Sequence, residues 1–183
     1  MAVARIRPAT EADVPAIVQI YVRAYAQPPW YEMHHPAHAE AYLRWVMQVA
    51  GTHCLVSEDD EAGMVAGFIL AGPRAYEEFV ADWERLADRP PEGWPALPAV
   101  LGYLWELAVE PALQRRGHGT ALLQAAVERL KAQGLRTIIL RSNERAAPAI
   151  ALYRRAGFRR LAVRERHDPL AGPWILDDAG RTG

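Results

Sequence analysis

Glu106-Leu-Ala-Val-Glu-Pro-Ala-Leu-Gln-Arg-Arg-Gly-His-Gly-Thr-Ala-Leu-Leu123 is the stretch that decides the fold. An apolar run ends at Val109, Pro111 opens a turn, and two glycines precede a segment of helical periodicity, so it reads as strand, loop and helix start. Gly117 and Gly119 carry no Cβ, which lets their backbone amides come close to a bound atom. The helix behind them offers N–H groups without intrahelical partners and the positive end of its dipole, and both favour phosphate oxygens. Arg115 and Arg116 add full charge beside them. Along the helix Leu123, Val127 and Leu130 form an inward stripe, Glu128, Arg129 and Lys131 turn to water, and Gly134 is placed to cap the end. Two other phosphate-binding patterns fit less well. A triphosphate loop ends in Gly-Lys-Ser/Thr, which is absent, and the dinucleotide fingerprint needs a third glycine where Leu122 stands. Taken alone, the two glycines are also compatible with a tight turn that binds nothing.

Outward from this loop, the pattern alternates between strands and helices. Val3–Arg7 reads as a strand ended by Pro8, and Thr10 with Asp13 as a cap pair before a helix whose apolar stripe is Val14, Ile17, Tyr21 and Tyr25. Gln27, Pro28, Pro29 and Trp30 stop it. A second helix starts at Pro36, carries Tyr42, Trp45, Val46 and Val49 on one face, and ends at Gly51. His53–Ser57 and Met64–Ala71 then predict an antiparallel hairpin around the polar turn Glu58–Gly63. Gly72–Ala99 is rich in proline, acids and tryptophan and reads as a long excursion with a short helix at Tyr76–Leu86. Beyond it come a strand at Val100–Val109, a helix at Gly117–Gln133, a strand at Leu135–Arg141, a helix at Pro148–Ala156 and a strand at Phe158–Arg166. A last strand at Trp174–Leu176 would be free to pair across a homodimer.

The composition bounds the function classes. With 183 residues, 51% of them hydrophobic, the chain is long enough for one good core and short for two domains. A net charge of −1 offers no global field toward nucleic acid or an anionic membrane. Met1–Pro15 has charges scattered through it and no window spans a bilayer, so the sequence predicts a cytoplasmic protein without a membrane partner. Cys54 is the single cysteine, which excludes an internal disulfide and fits a reducing compartment. It reads as a core residue in a strand, with no base beside it to make a nucleophile. His34, His35 and His38 cluster, but Pro36 interrupts the spacing and no carboxylate is fixed by the pattern, so no metal is expected. Arg154, Arg155, Arg159 and Arg160 form a basic run without a nucleic-acid motif, and no nucleic-acid partner is expected either.

The loop resembles the pyrophosphate loop of the GNAT superfamily of N-acetyltransferases, Gln/Arg-x-x-Gly-x-Gly/Ala, in Gln114-Arg-Arg-Gly-His-Gly119. A second signature of that family, Ala-x-x-Leu-Tyr-x-x-x-Gly-Phe, is matched by Ala149-Ile-Ala-Leu-Tyr-Arg-Arg-Ala-Gly-Phe158. The resemblance is sharp over Glu106–Phe158, and the β, α, α, β, β opening agrees with it. It implies an α/β (α+β) fold: a mixed, strongly twisted sheet with splayed central strands, flanked by helices, with CoA in the gap. The whole of 1–183 is then one N-acetyltransferase domain, with the excursion at about 72–99. Acetyl-CoA is the implied co-substrate. Leu107, Ala108 and Val109 would offer backbone groups to its pantetheine arm, Gln114, Arg115, Arg116, Gly117, His118, Gly119 and Thr120 would hold its pyrophosphate, and His118 would contribute its amide. Relatives place the Val109 amide against the thioester carbonyl, where it stabilises developing negative charge. They also often carry an asparagine seven residues before the tyrosine, where this chain has Ala146. Asn143 is the nearest substitute and is taken as a cofactor contact.

Acetyl transfer to nitrogen needs an unprotonated amine, whereas an alkylamine near neutral pH is mostly ammonium. Glu106, on the strand leading into the loop, is the candidate base, directly or through a water. The resemblance makes the Tyr153 phenol the acid that protonates the departing thiolate. The acceptor, a small-molecule amine or a peptide N-terminus, would lie near Trp30, Tyr31 and Glu32, with the aromatics and acids of the excursion, among them Trp83 and Trp94, on the other side. Each site residue has a plainer reading: Glu106 as a solvated strand acid, Tyr153 as a core aromatic, the acidic clusters as wet helix faces. A domain that binds acyl-CoA without catalysis is the alternative function.

Overall fold

The computed structural model describes residues 4–87 and 97–177; of the expected features, Val3 and Trp94 lie outside them. The strands are β1 (Arg5–Pro8), β2 (His53–Asp59), β3 (Met64–Ala75), β4 (Val100–Val109), β5 (Ile138–Asn143), β6 (Arg159–Arg160) and β7 (Ala171–Leu176). The helices are α1 (Val14–Tyr25), α2 (Pro36–Gln48), α3 (Tyr76–Leu86), α4 (His118–Ala132) and α5 (Ala147–Arg155). The strand order is β1-β2-β3-β4-β5-β7-β6, with β4 and β5 parallel and the β1–β2, β2–β3, β5–β7 and β6–β7 pairs antiparallel. This is the expected mixed sheet with helices. The chain forms two compact units, one running up to Gly72 and including Trp105–Arg129, the other Pro73–Leu104 with Leu130 onward.

In the first unit α1 and α2 lay their apolar stripes on β2 and β3. Ile17, Ile20, Leu43, Val46, Val56, Phe68 and Leu70 are all buried in one cluster. Polar contacts fix where α1 begins and ends. Asp13 accepts from the Thr10 backbone N–H at 2.7 Å and from both terminal nitrogens of Arg7 at 2.7 and 2.8 Å. These donors hold its carboxyl well below the usual range, the Arg7 contact first among them. At the other end Arg23 reaches Glu110, just past β4, at 2.7 Å. β2 runs two residues further than the sequence reading, to Asp59, through an irregularity at Ser57/Glu58. Glu58 is bound by Arg7 at 2.5 Å, and Asp59 caps the turn by accepting from the Ala62 N–H at 2.8 Å. The pairing and cap together keep the chain extended where polarity alone pointed to a turn.

In the second unit Phe79 and Trp83 of α3 pack inward, Phe79 lying 6.2 Å from the ring of Tyr103 on β4. Trp83 is 2% exposed, so it is a core residue and faces no acceptor. The parallel ladder joins Gly102–Leu104 to Ile138–Leu140. β5 begins at Ile138, later than expected, because Gly134 is left-handed at φ 84° and Leu135 still donates back to Leu130 at 3.0 Å to close α4. The strand expected at Phe158–Arg166 shortens to Arg159–Arg160, since the following chain is drawn toward the end of α3, where the Arg166 N–H donates to Leu86 at 2.8 Å. β7 is longer than expected and has a partner on each side, β5 through Ile138↔Leu176 and β6 through Arg160↔Trp174. Among the described residues Trp174 and Ile175 are therefore paired on both sides and offer no open edge there.

Gly67 on β3 marks a tight approach in the first unit. A Cβ there would lie 2.8 Å from the Ala108 carbonyl oxygen and about 3 Å from the side chains of Val109 and Leu122. Gly67→Ala is expected to lower stability by about 1–3 kcal/mol, read as a fall in the urea midpoint. An unchanged midpoint would show that β4 moves aside at no cost.

Candidate active site

Glu106 sits on β4 in the first unit and is enclosed by the two helices that precede it in the chain. Tyr25, the last residue of α1, donates to one carboxylate oxygen at 2.5 Å, and Tyr42 of α2 donates to the other at 2.7 Å. The helical spacing of Tyr21 and Tyr25 puts both rings on the inward face, 4.6 Å apart. Tyr42 lies 6.1 Å from Tyr21. Burial raises the pKa of Glu106; the two phenols oppose that rise by favouring the ionised form, Glu32 adds to it and His34 reduces it. The Tyr21 phenol is likewise raised, by burial and by the charges of Glu106 and Glu32. A carboxylate with its acidity lowered in this way is suited to take a proton near neutral pH.

Tyr25 also connects Glu106 to the segment expected to meet the acceptor. Its ring is 5.7 Å from Trp30 and 5.8 Å from His34, and its carbonyl accepts from the Glu32 N–H at 2.9 Å. Glu32 in turn bonds His34 Nε2 at 2.9 Å. Trp30 and Glu32 are thus gathered near Glu106 through Tyr25, while Tyr31 points outward at 70% exposure. The histidine cluster is occupied otherwise: His34 by Glu32, and His35 as the acceptor of the Ala37 N–H at the start of α2. Among the described residues no group of three or more His, Cys, Asp or Glu is placed to hold a metal. Cys54 packs at the edge of the first core, where burial pushes its thiol up to about 12, so it is no thiolate nucleophile.

The loop follows β4 directly. Gln114 donates its side-chain amide to the Val109 carbonyl at 3.3 Å. Arg115 at φ 66° and Gly117 at φ 96° are both left-handed, two such residues within three positions. Two left-handed residues this close make a sharp turn directly before α4, and turns of this kind can present backbone N–H groups to an anion. Nothing lies within 4 Å of the point where a Gly117 Cβ would stand, so the cradle has room, and its conformation rather than crowding calls for glycine there. The residues present therefore fit a diphosphate. Gln114 to Gly117 are exposed and Thr120 is exposed with them, whereas the His118 side chain is buried.

The remaining expected residues lie in the second unit. Tyr153 on α5 is buried, its ring 6.0 Å from Phe158. Asn143, the last residue of β5, accepts from the Arg145 N–H at 2.9 Å and donates to Asp168 at 2.5 Å. Its side chain thus shapes the turn before α5. Of the basic run, Arg159 pairs with Asp177 at 2.7 Å and Arg160 with Glu144.

The chain belongs to the GNAT acetyltransferase family, whose model matches residues 14–158. It is 34% identical over 110 residues to a mycothiol acetyltransferase of Cellulomonas flavigena, covering 59% of this chain and 30% of that protein. To the [ribosomal protein bS18]-alanine N-acetyltransferase of Salmonella typhimurium it is 38% identical over 68 residues, 37% of this chain and 46% of that one. The chain thus spans less than half the length of either relative. The solved structure of yncA from Salmonella typhimurium with its cofactor acetyl-CoA shares the fold at TM-score 0.64 and 22% identity, covering 96% of this chain and 92% of that one.

Sequence reasoning missed Tyr25, Tyr42 and His34 as partners of Glu106. The signal was present in the two tyrosines, since a phenol in an apolar stripe needs an acceptor. Because each phenol favours the ionised carboxylate, Tyr25→Phe or Tyr42→Phe is expected to move the Glu106 titration to higher pH, followed by carboxyl carbon NMR. A titration that stays in place or moves to lower pH would show that these bonds do not hold the charge.

Proposed function

We propose that the chain works as one cytoplasmic acetyl-CoA-dependent N-acetyltransferase domain that moves an acetyl group to the primary amine of a small molecule or a peptide N-terminus. The observation that carries this reading is Glu106: a carboxylate of raised pKa, bracketed by two phenols, on the strand that leads into a loop with an anion-binding backbone. Acetyl-CoA would supply an activated thioester. Gln114–Thr120 would hold its diphosphate, Leu107–Val109 would face its pantetheine arm with the Val109 amide at the carbonyl, and Asn143 would add a contact. Trp30, Tyr31 and Glu32 would receive the ammonium form of the acceptor, whose charge suits aromatic faces and a carboxylate. Glu106 would then take the proton, freeing the nitrogen lone pair for direct attack, and the Tyr153 phenol would return a proton to the departing thiolate. The nucleophile belongs to the acceptor, so no acylated enzyme is required and much of the rate would come from holding the two reactants together. One relative is named for a small molecule, mycothiol, and the other for an alanine of ribosomal protein bS18, which is why both acceptor classes are included.

The test is release of free thiol from acetyl-CoA against a panel of amines and peptides. Glu106→Gln is expected to lower turnover by about a hundredfold or more while CoA still binds, and Tyr153→Phe to lower it less. Full turnover in Glu106→Gln would remove Glu106 as the base. Tight binding of acetyl-CoA without thiol release to any acceptor would point to a non-catalytic binding domain.

A further inference from the structure

The loop has one inward-facing side chain, and its polar contacts have no part in the reading above. Between Leu113 and Leu122 the only buried residue is His118, at 5% exposure. Its Nδ1 lies 2.6 Å from Ser57 Oγ and its Nε2 lies 3.2 Å from Asp59 Oδ2. Ser57 and Asp59 are themselves buried near the end of β2. The carboxylate accepts from Nε2–H, and Nδ1 pairs with the Ser57 hydroxyl, which can donate or accept. Both ring nitrogens are satisfied, and no buried polar atom of the three is left idle. Asp59 spans further: its other oxygen caps the β2–β3 turn at Ala62, and Oδ2 lies 3.6 Å from the Arg116 guanidinium.

Backbone strain sits directly beside this contact. A non-glycine residue in the left-handed region persists only where surrounding structure over-determines it, and Arg115 is such a residue, two positions before Gly117. Gln114 to Gly117 are exposed; Gln114 bonds the Val109 carbonyl and Arg116 reaches the same Asp59 that holds His118, so Asp59 ties the loop to β2 through both residues. We propose that His118, held by Ser57 and Asp59, is a positioning residue that fixes the anion-binding backbone of the loop to β2 and so sets the affinity for the diphosphate of CoA. The inference rests on the reading of Gln114–Thr120 as the diphosphate cradle. Loosening the anchor leaves every loop donor in place but requires each to be ordered when the ligand arrives, and the loss appears as weaker binding.

Calorimetric titration of the full chain with CoA tests it. Ser57→Ala removes one hydrogen bond at almost no change in volume and is expected to raise Kd about five- to tenfold; His118→Phe, which removes both, is expected to raise it further. In steady-state assays Ser57→Ala should raise KM for acetyl-CoA more than it lowers kcat, with the melting temperature close to wild type. Wild-type affinity in Ser57→Ala and in folded His118→Phe would overturn the anchor. So would a loss in kcat equal to or larger than the rise in KM, since that places the effect on the chemistry. No CoA binding by the wild type would instead sink the cradle reading, and the anchor with it.

Discussion

A carboxylate withdrawn from water is tolerated only when its oxygens are filled by donors, and Glu106 meets that condition with one phenol on each oxygen. The phenols come from different helices, so α1 and α2 must both be in place before the charge is stable where it lies. The same two bonds work against desolvation, which pushes the proton on, by favouring its loss. The result is a half-buried group whose ionised form is opposed by burial and favoured by the two phenols. Packing the first core and placing these donors on Glu106 are therefore one event: Tyr21, Tyr25 and Tyr42 line the core with their rings, and the hydroxyls of Tyr25 and Tyr42 serve the acid.

The register of α1 against β4 follows from contacts at both its ends. Asp13 is gripped by Arg7 before the helix begins, and Arg23 reaches Glu110 after β4 ends. With Tyr25 at Glu106, α1 meets β4 and its continuation at two points four residues apart. A slide by one turn would strand a carboxylate in each place. Gly67 adds a steric limit from β3, since no side chain fits between it and the Ala108 carbonyl. The loop thus departs from a strand whose position is fixed both by charge and by volume.

How much of this was legible in the sequence depended on whether the determining contact was local. The β4 and α3 boundaries were read as they stand, because hydrophobic runs and their flanking prolines and acids decide them within a few residues. The strand, loop and helix start around Gly117 were legible too, although that glycine was read for close approach to a ligand and its left-handed conformation was not foreseen. Three features were not. β6 and β7 are set by pairing and by the pull of Leu86 on Arg166, contacts distant along the chain. Tyr25 and Tyr42 were read as members of apolar stripes, correctly for their rings, but their acceptor lies more than sixty residues away. His118 was read through its amide because its ring partners sit on β2, and nothing in Gln114–Thr120 names Ser57 or Asp59.

The acidity of Glu106 is set largely from outside its own strand. Glu32 lowers it by placing a second negative charge nearby, and His34 raises it. The two are hydrogen-bonded to each other at 2.9 Å, so the opposing influences on Glu106 come from one contact pair. Both residues lie in the α1–α2 connection, the segment that also carries Trp30 and the outward-facing Tyr31. An amine that reached Glu106 past this connection would meet the pair first. A cation pairing with Glu32 would weaken the repulsion it exerts and so favour the ionised form of Glu106.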